Sequence, residues 1–294
     1  MLNYTCYKCN KLFNSLTEII THLRKEEKIY IPEPKERAFY KKSYEINILN
    51  VNLKLIEYNV NEHKDFVVRT IHKYNYYEPL ISVIFLKLLT KSDLFFDIGG
   101  NIGYYSLLTS QNCKEVHSFE PLQENYVKFE QNVLLNNIDN IIINKNIVSD
   151  KEHSMKFSYG TSHIDDHSNT PKIKNVILDN YIQINSINEI KLIKIDVEGH
   201  EECVLNTMTK SLQTKTFQYI MCEVTHQTCR NIINTLITYG YNKIYNLNTG
   251  FILSTRSNLN ATSCMEINDI LELYIITDIS SFKDCNTNLL FTFN

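Results

Sequence analysis

Three short stretches of this chain carry side chains that could do chemistry. The first runs Asp97-Ile98-Gly99-Gly100-Asn101-Ile102-Gly103, an acid at the end of an apolar run followed by three glycines in five residues. The chain has only seven glycines, so the cluster is not background. A strand, a glycine turn and then a helix expose unpaired N–H groups where a ligand can approach the backbone. The second is Glu120-Pro121, with Glu120 twenty-three residues beyond Asp97. An acid at the end of the second strand of such a unit can take both hydroxyls of a ribose. The third is Asp196-Val197-Glu198-Gly199-His200, an acid, a turn and an imidazole behind an apolar strand. Strand ends of this kind are where open α/β sheets place ligands.

The glycine spacing excludes two common ligand classes. No Lys-Ser/Thr pair follows Gly103, as a phosphate-cradling loop requires, and the order Gly99-Gly100-x-x-Gly103 is not the dinucleotide fingerprint. Asp97 would repel a pyrophosphate and suits a ligand bearing an ammonium group, as S-adenosylmethionine does. Taken alone, the loop also fits a tight turn in any α/β domain, and Glu120 a solvated acid ahead of a helix.

Asp97–Gly103, Ser118-Phe119-Glu120-Pro121 and Lys194–Glu201 together resemble the FkbM family of S-adenosylmethionine-dependent methyltransferases, from about Tyr74 to about Glu223. The family usually has Ala where this chain has Gly100. The resemblance implies cofactor contacts from Glu78, Asp97, Gly99, Gly100, Asn101, Gly103, Glu120, Asp150 and Asp196. Glu78 would lie near the methionine end and Asp150 near adenine. It also implies methyl transfer to an oxygen of a sugar, glycan or related small molecule. That reaction needs alignment and a base. His200 is the natural base, Asp196 orients the hydroxyl or takes its proton, and Glu198 orients the turn or binds substrate. The rival readings are methylation of nucleic acid and a non-catalytic domain that serves a binding module. No Asn-Pro-Pro-Tyr-like motif supports the former.

The elements that must position these groups follow from the apolar pattern. Tyr44 to Val60 alternates as a hairpin, and Tyr74 to Leu89 reads as one helix. Strands end at Asp97 and Glu120, with helices over about 102–111 and from Leu122 to Leu135. A third strand spans Asn140 to Val148. Residues 151–179 read as a hairpin and a polar lid holding His163, Asp165, Asp166 and His167. Strands at 192–196 and 219–224, a helix from Cys229 to Tyr239, and last strands at 241–247 and 271–277 complete the domain. The expected fold is α/β, a Rossmann-like seven-stranded class I methyltransferase sheet with helices on both faces, plus a small N-terminal finger-like module.

That module is residues 1–28, a linker spans 29–45, and the main domain 46–294. Cys6, Cys9 and His22 have the spacing of three ligands of a two-cysteine, two-histidine zinc finger, with Phe13 and Ile19 as its small core. A fourth ligand would be Glu26, Glu27, a water or a group from the main domain. Zn2+ is therefore a second expected cofactor. Residues 1–42 carry nine Lys/Arg against five Glu, a surplus of four, so the remainder carries about −7 of a net −3. The module could contact nucleic acid or protein. Eight scattered cysteines and the lack of an apolar leader point to a reducing compartment, the cytoplasm, or a host's cytoplasm for a viral chain. The longest apolar run, Leu80 to Leu89, is too short for a membrane span.

Overall fold

A computed structural model describes residues 4–5, 12–13, 43–49, 51–56, 66–74, 76–153, 155–158, 161–164, 172–247 and 287–293. They fall into two compact units, 1–43 and 44–294. In the first, β1 (Tyr4–Thr5) pairs antiparallel with β2 (Leu12–Phe13). Cys6, Cys9, His22, Glu26 and Glu27 lie outside the described residues, as do Asp165, Asp166 and His167 of the expected lid.

The second unit opens with a hairpin, β3 (Ser43–Ile48) and β4 (Val51–Ile56). Val51, Leu53 and Leu55 are buried in strict alternation, as a pleat with one covered face requires. Helix α1 (Phe66–Tyr74) follows, and then α2 (Pro79–Leu88). The helix expected over 74–89 starts later, at Pro79, and α1 before it was not expected. Glu78 takes a left-handed conformation, φ 40°, and Pro79 is the first helical residue. A residue before proline is excluded from the right-handed helical region, whereas proline itself suits the first turn.

Next come β5 (Leu94–Ile98), α3 (Tyr104–Ser110), β6 (Glu115–Phe119), α4 (Gln123–Leu135) and β7 (Ile141–Asn144). The third expected strand is split. β8 (Ile147–Val148) leaves the sheet after the polar Lys145-Asn146 and pairs in parallel with β11 (Asn175–Val176). Between them β9 (Met155–Ser158) and β10 (Thr161–Ile164) form an antiparallel pair. The chain continues through α5 (Leu178–Ile184), β12 (Ile190–Ile195), α6 (Glu201–Asn206), α7 (Thr209–Gln213), β13 (Phe217–Val224), α8 (Cys229–Thr238), β14 (Lys243–Asn246) and β15 (Thr287–Thr292).

Seven strands make one sheet in the order β14-β15-β13-β12-β5-β6-β7. β13, β12, β5, β6 and β7 run parallel, and β15 lies antiparallel between β13 and β14. The last strand of this sheet is therefore 287–292; residues 271–277 lie outside the described residues. Helices flank the sheet, so its central strands are buried on both faces and lose their alternation. Phe95, Phe96, Ile193, Ile195, Ile220 and Cys222 are all at or below 1% exposure. Each such aliphatic or aromatic side chain contributes about 1.5–3 kcal/mol by leaving water. From β5 the chain builds outward through β6 and β7 on one side, then returns to β12 and β13 on the other. The order reverses between β5 and β12, and the crevice at such a switch point is where open sheets bind ligands.

Candidate functional site

The glycine loop joins β5 to α3 above this crevice. The N–H groups of Gly99 and Gly100 both donate to the Phe119 carbonyl, at 3.0 and 3.1 Å. Gly99 and Gly103 have φ of 86° and 90°. A Cβ on Gly99 would stand 1.9 Å from the Asp196 carbonyl oxygen, and one on Gly103 would stand 2.2 Å from the Phe129 ring. The space freed by these glycines is thus taken by β12 and α4. The expectation that they clear room for a ligand is corrected: they let the scaffold close, and the loop's outer side faces the cavity.

That cavity has a volume of about 330 Å³, within the range of small-molecule sites. Gly99, Gly100, Asn101, Glu78, Glu120, Asp196, Glu198, Glu223, Lys194 and His200 all contribute to its wall. Of the expected cofactor residues, Asp97, Gly103 and Asp150 do not line it. Asp97 is buried beneath it, where one carboxylate oxygen accepts from Ser106 Oγ at 2.6 Å and the other lies 3.6 Å from Lys194 Nζ. Asp150 is exposed, because the chain leaves the sheet at β8 before reaching it.

Glu120 is 3% exposed, and each of its oxygens accepts one backbone N–H, from Asn101 and from Leu122, both at 2.8 Å. Burial outweighs these bonds and pushes its pKa up to about 7. Glu78 is held by the left-handed turn before α2. It accepts from Tyr105 Oη at 2.5 Å and from Asn288 Nδ2 at 3.1 Å, and burial likewise raises it to about 7.

Lys194 is the functional residue that the strand's apolar pattern concealed. It stands opposite Asp97 across β5 and β12, with its ammonium 3.2 Å from Asp196 and 3.3 Å from the Gly99 carbonyl. Burial would lower this amine, but Asp196 and Asp97 together hold it above the usual lysine range. Its signal was present: of the two lysines in an otherwise apolar strand, it is the one two residues from Asp196 and so on the same side of the pleat. Glu223, near the end of β13, lies at the same C-terminal sheet edge. Burial, the Asp196 and Glu198 charges and a hydrogen bond with Asp196 push it well above the carboxylate range.

The turn after β12 is strained and pinned from below. Glu198 and Gly199 have φ of 56° and 97°, and the buried Glu201 accepts from the N–H groups of Val197 and Gly199 at 3.1 and 3.0 Å. Glu198 is exposed at the cavity edge. His200 immediately precedes α6, with Nε2 3.1 Å from Ser149 Oγ. No group of three or more His, Cys, Asp or Glu among the described residues is arranged to hold a metal ion.

The cavity wall therefore carries five carboxyl groups (Glu78, Glu120, Asp196, Glu198, Glu223) against one ammonium, Lys194. This donor set fits a cationic ligand with hydroxyls and repels a polyphosphate.

A family model described as the methyltransferase FkbM domain matches residues 97–243, half of the chain. No curated protein matches the sequence. Solved structures similar to it include a rRNA methylase from Streptococcus thermophilus, 10% identical, TM-score 0.41, covering 72% of this chain and 93% of the other. The METTL16 MTase domain is 12% identical, TM-score 0.42, covering 99% and 86%. Precorrin-6y C5,15-methyltransferase from Geobacter metallireducens GS-15 is 10% identical, TM-score 0.40, covering 73% and 88%.

Proposed function

The chain belongs to the FkbM family of S-adenosylmethionine-dependent methyltransferases, and from that premise we propose that it methylates a hydroxyl oxygen of a sugar, glycan or related small molecule. The observation that carries this reading is the acid-rimmed cavity at the strand-order reversal. When bound, S-adenosylmethionine supplies a methyl group activated by a sulfonium. Glu120 would hold its ribose hydroxyls through the lone pairs that the Asn101 and Leu122 N–H groups leave open. Glu78 and the Gly99–Asn101 backbone would hold the methionine end, with Asp97 acting from beneath through Lys194.

Lys194, 3.2 Å from Asp196, aims its carboxylate, which orients the acceptor hydroxyl. His200 takes the proton as the hydroxyl oxygen becomes nucleophilic. Glu198, exposed on a strained turn, binds polar groups of the acceptor. Asp196→Asn should abolish turnover while S-adenosylmethionine binding persists; full activity in that variant would remove Asp196 from the mechanism.

The finger-like spacing and the basic surplus of residues 1–42 favour a nucleic-acid acceptor. Five carboxyl groups at the cavity argue for a neutral or cationic acceptor instead, and binding of RNA or DNA that weakens with salt would reverse this preference. The spacing of Cys6, Cys9 and His22 supports a zinc-binding module, tested by metal analysis of the purified chain.

A further inference from the structure

Ser149 follows β8 and is fully buried between two imidazoles and a carboxylate. Its Oγ lies 3.0 Å from His153 Nε2, 3.1 Å from His200 Nε2 and 3.2 Å from Asp150 Oδ1. Ser149 and both histidines are anchored in the fold. The Ser149 N–H donates to the Val176 carbonyl, its own carbonyl accepts from Asn175 Nδ2, His153 bridges to Ile173, and His200 leads into α6. The two imidazoles meet edge to face, with centroids 5.0 Å apart.

A hydroxyl has one proton and two lone pairs. The Asp150 carboxylate can only accept, so its contact exists only if Ser149 gives it that proton. Both imidazoles must then donate to Ser149 from Nε2. We infer that Ser149 is a positioning residue that locks His200 as its Nε2–H tautomer, which places the imidazole lone pair on Nδ1. Asp150 sets the direction of the hydroxyl, and His153 fills its second lone pair so that water cannot compete for it. This rests on the reading of His200 as proton acceptor. In that step the proton passes from the acceptor oxygen to Nδ1 as the oxygen–carbon bond forms. The sulfur–carbon bond breaks with its electron pair left on sulfur, and the resulting imidazolium gives one proton to solvent. Asp150, expected from the sequence at the adenine, has its role here instead.

The test is the tautomer of His200, read from long-range proton–nitrogen correlation spectra of the full chain labelled with nitrogen-15, at pH 8 without ligand. The expected result is Nε2–H for both His200 and His153. Ser149→Ala, which keeps both backbone bonds, should give a mixture of His200 tautomers. It should lower kcat by about 10- to 100-fold, part of the roughly 10²–10⁴ that a general base supplies, and leave S-adenosylmethionine affinity unchanged. Ser149→Thr should restore both readings. An Nδ1–H His200 in the wild-type chain overturns the inference without any variant, and so does a Ser149→Ala chain with mixed tautomers and full kcat. If the chain binds no S-adenosylmethionine, the methyltransfer reading fails while the tautomer result still stands, so the two failures are told apart.

Discussion

The two halves of the cavity floor come from one parallel sheet but are built on opposite terms. At the ends of β5 and β6 the protein itself supplies partners for the loop amides and for Glu120, while the buried Asp97 Oδ1 and Asn101 Oδ1 take no hydrogen bond. Gly99 and Gly100 bond to Phe119, and Glu120 accepts two backbone N–H groups. At the ends of β12 and β13 like charges are crowded together. Burial and the Asp196 and Glu198 charges raise the proton affinity of Glu223, with Lys194 the cation set against them. The first half is a finished cradle whose residual lone pairs select a ligand. The second is held in an unfavourable arrangement that the rest of the fold sustains, the usual signature of a reacting centre.

The contrast can be broken at its charge balance. Lys194→Met leaves Asp97 and Asp196 without their counter-ion, and removing one partner from a buried ion pair costs about 3–5 kcal/mol. Denaturant unfolding should show that loss; a variant as stable as the parent would mean the crowded half needs no cation. Steric tightness on the other side is tested by Gly99→Ala, which meets the Asp196 carbonyl at a left-handed φ. Overpacking and backbone strain together should cost about 2–4 kcal/mol, read as a fall in Tm.

A smaller effect belongs to pH. Glu78 and Glu120 titrate at about 7 in the folded chain, above their unfolded carboxylate range. The folded state therefore binds more protons over that window, and stability without ligand should fall as pH rises from about 4.5 to about 7. Binding of a cationic, hydroxyl-bearing ligand requires both acids ionised, so its affinity should climb through the same window. Unfolding and calorimetry at pH 5 and pH 8 check both signs. The smallest effect is Gly100→Ala. Its Cβ would meet the Ser118 hydroxyl at 2.3 Å and the Phe129 ring at 3.0 Å, without a left-handed φ. Ser118 is buried and donates to the Asp97 carbonyl, so it must give up that bond to move aside, and about 1 kcal/mol is expected, the low end for overpacking; a loss of several would place the loop among the rigid parts.

Much of this was legible in the sequence because strand ends announce themselves. Asp97, Glu120 and Asp196 each close an apolar run, and each lies at the C-terminal edge of a sheet strand or one residue beyond it. What stayed hidden depends on partners distant in sequence. Nothing local says that Gly103 faces Phe129, that Lys194 stands opposite Asp97, or that Ser149 meets His200. The helix start at Pro79 was readable from proline's effect on its predecessor, yet the strong apolar stripe of 80–88 drew the expected start back to Tyr74. β15 was missed for a different reason. Thr287–Thr292 is buried on both faces, so it carries no alternation to mark it.

The central claim is that this acid-rimmed cavity holds S-adenosylmethionine. Calorimetric titration of the full chain with S-adenosylmethionine at pH 8 addresses it directly. The account predicts saturable binding of one ligand per chain that is lost in Glu120→Ala. No heat at millimolar ligand, or undiminished binding in that variant, would contradict it.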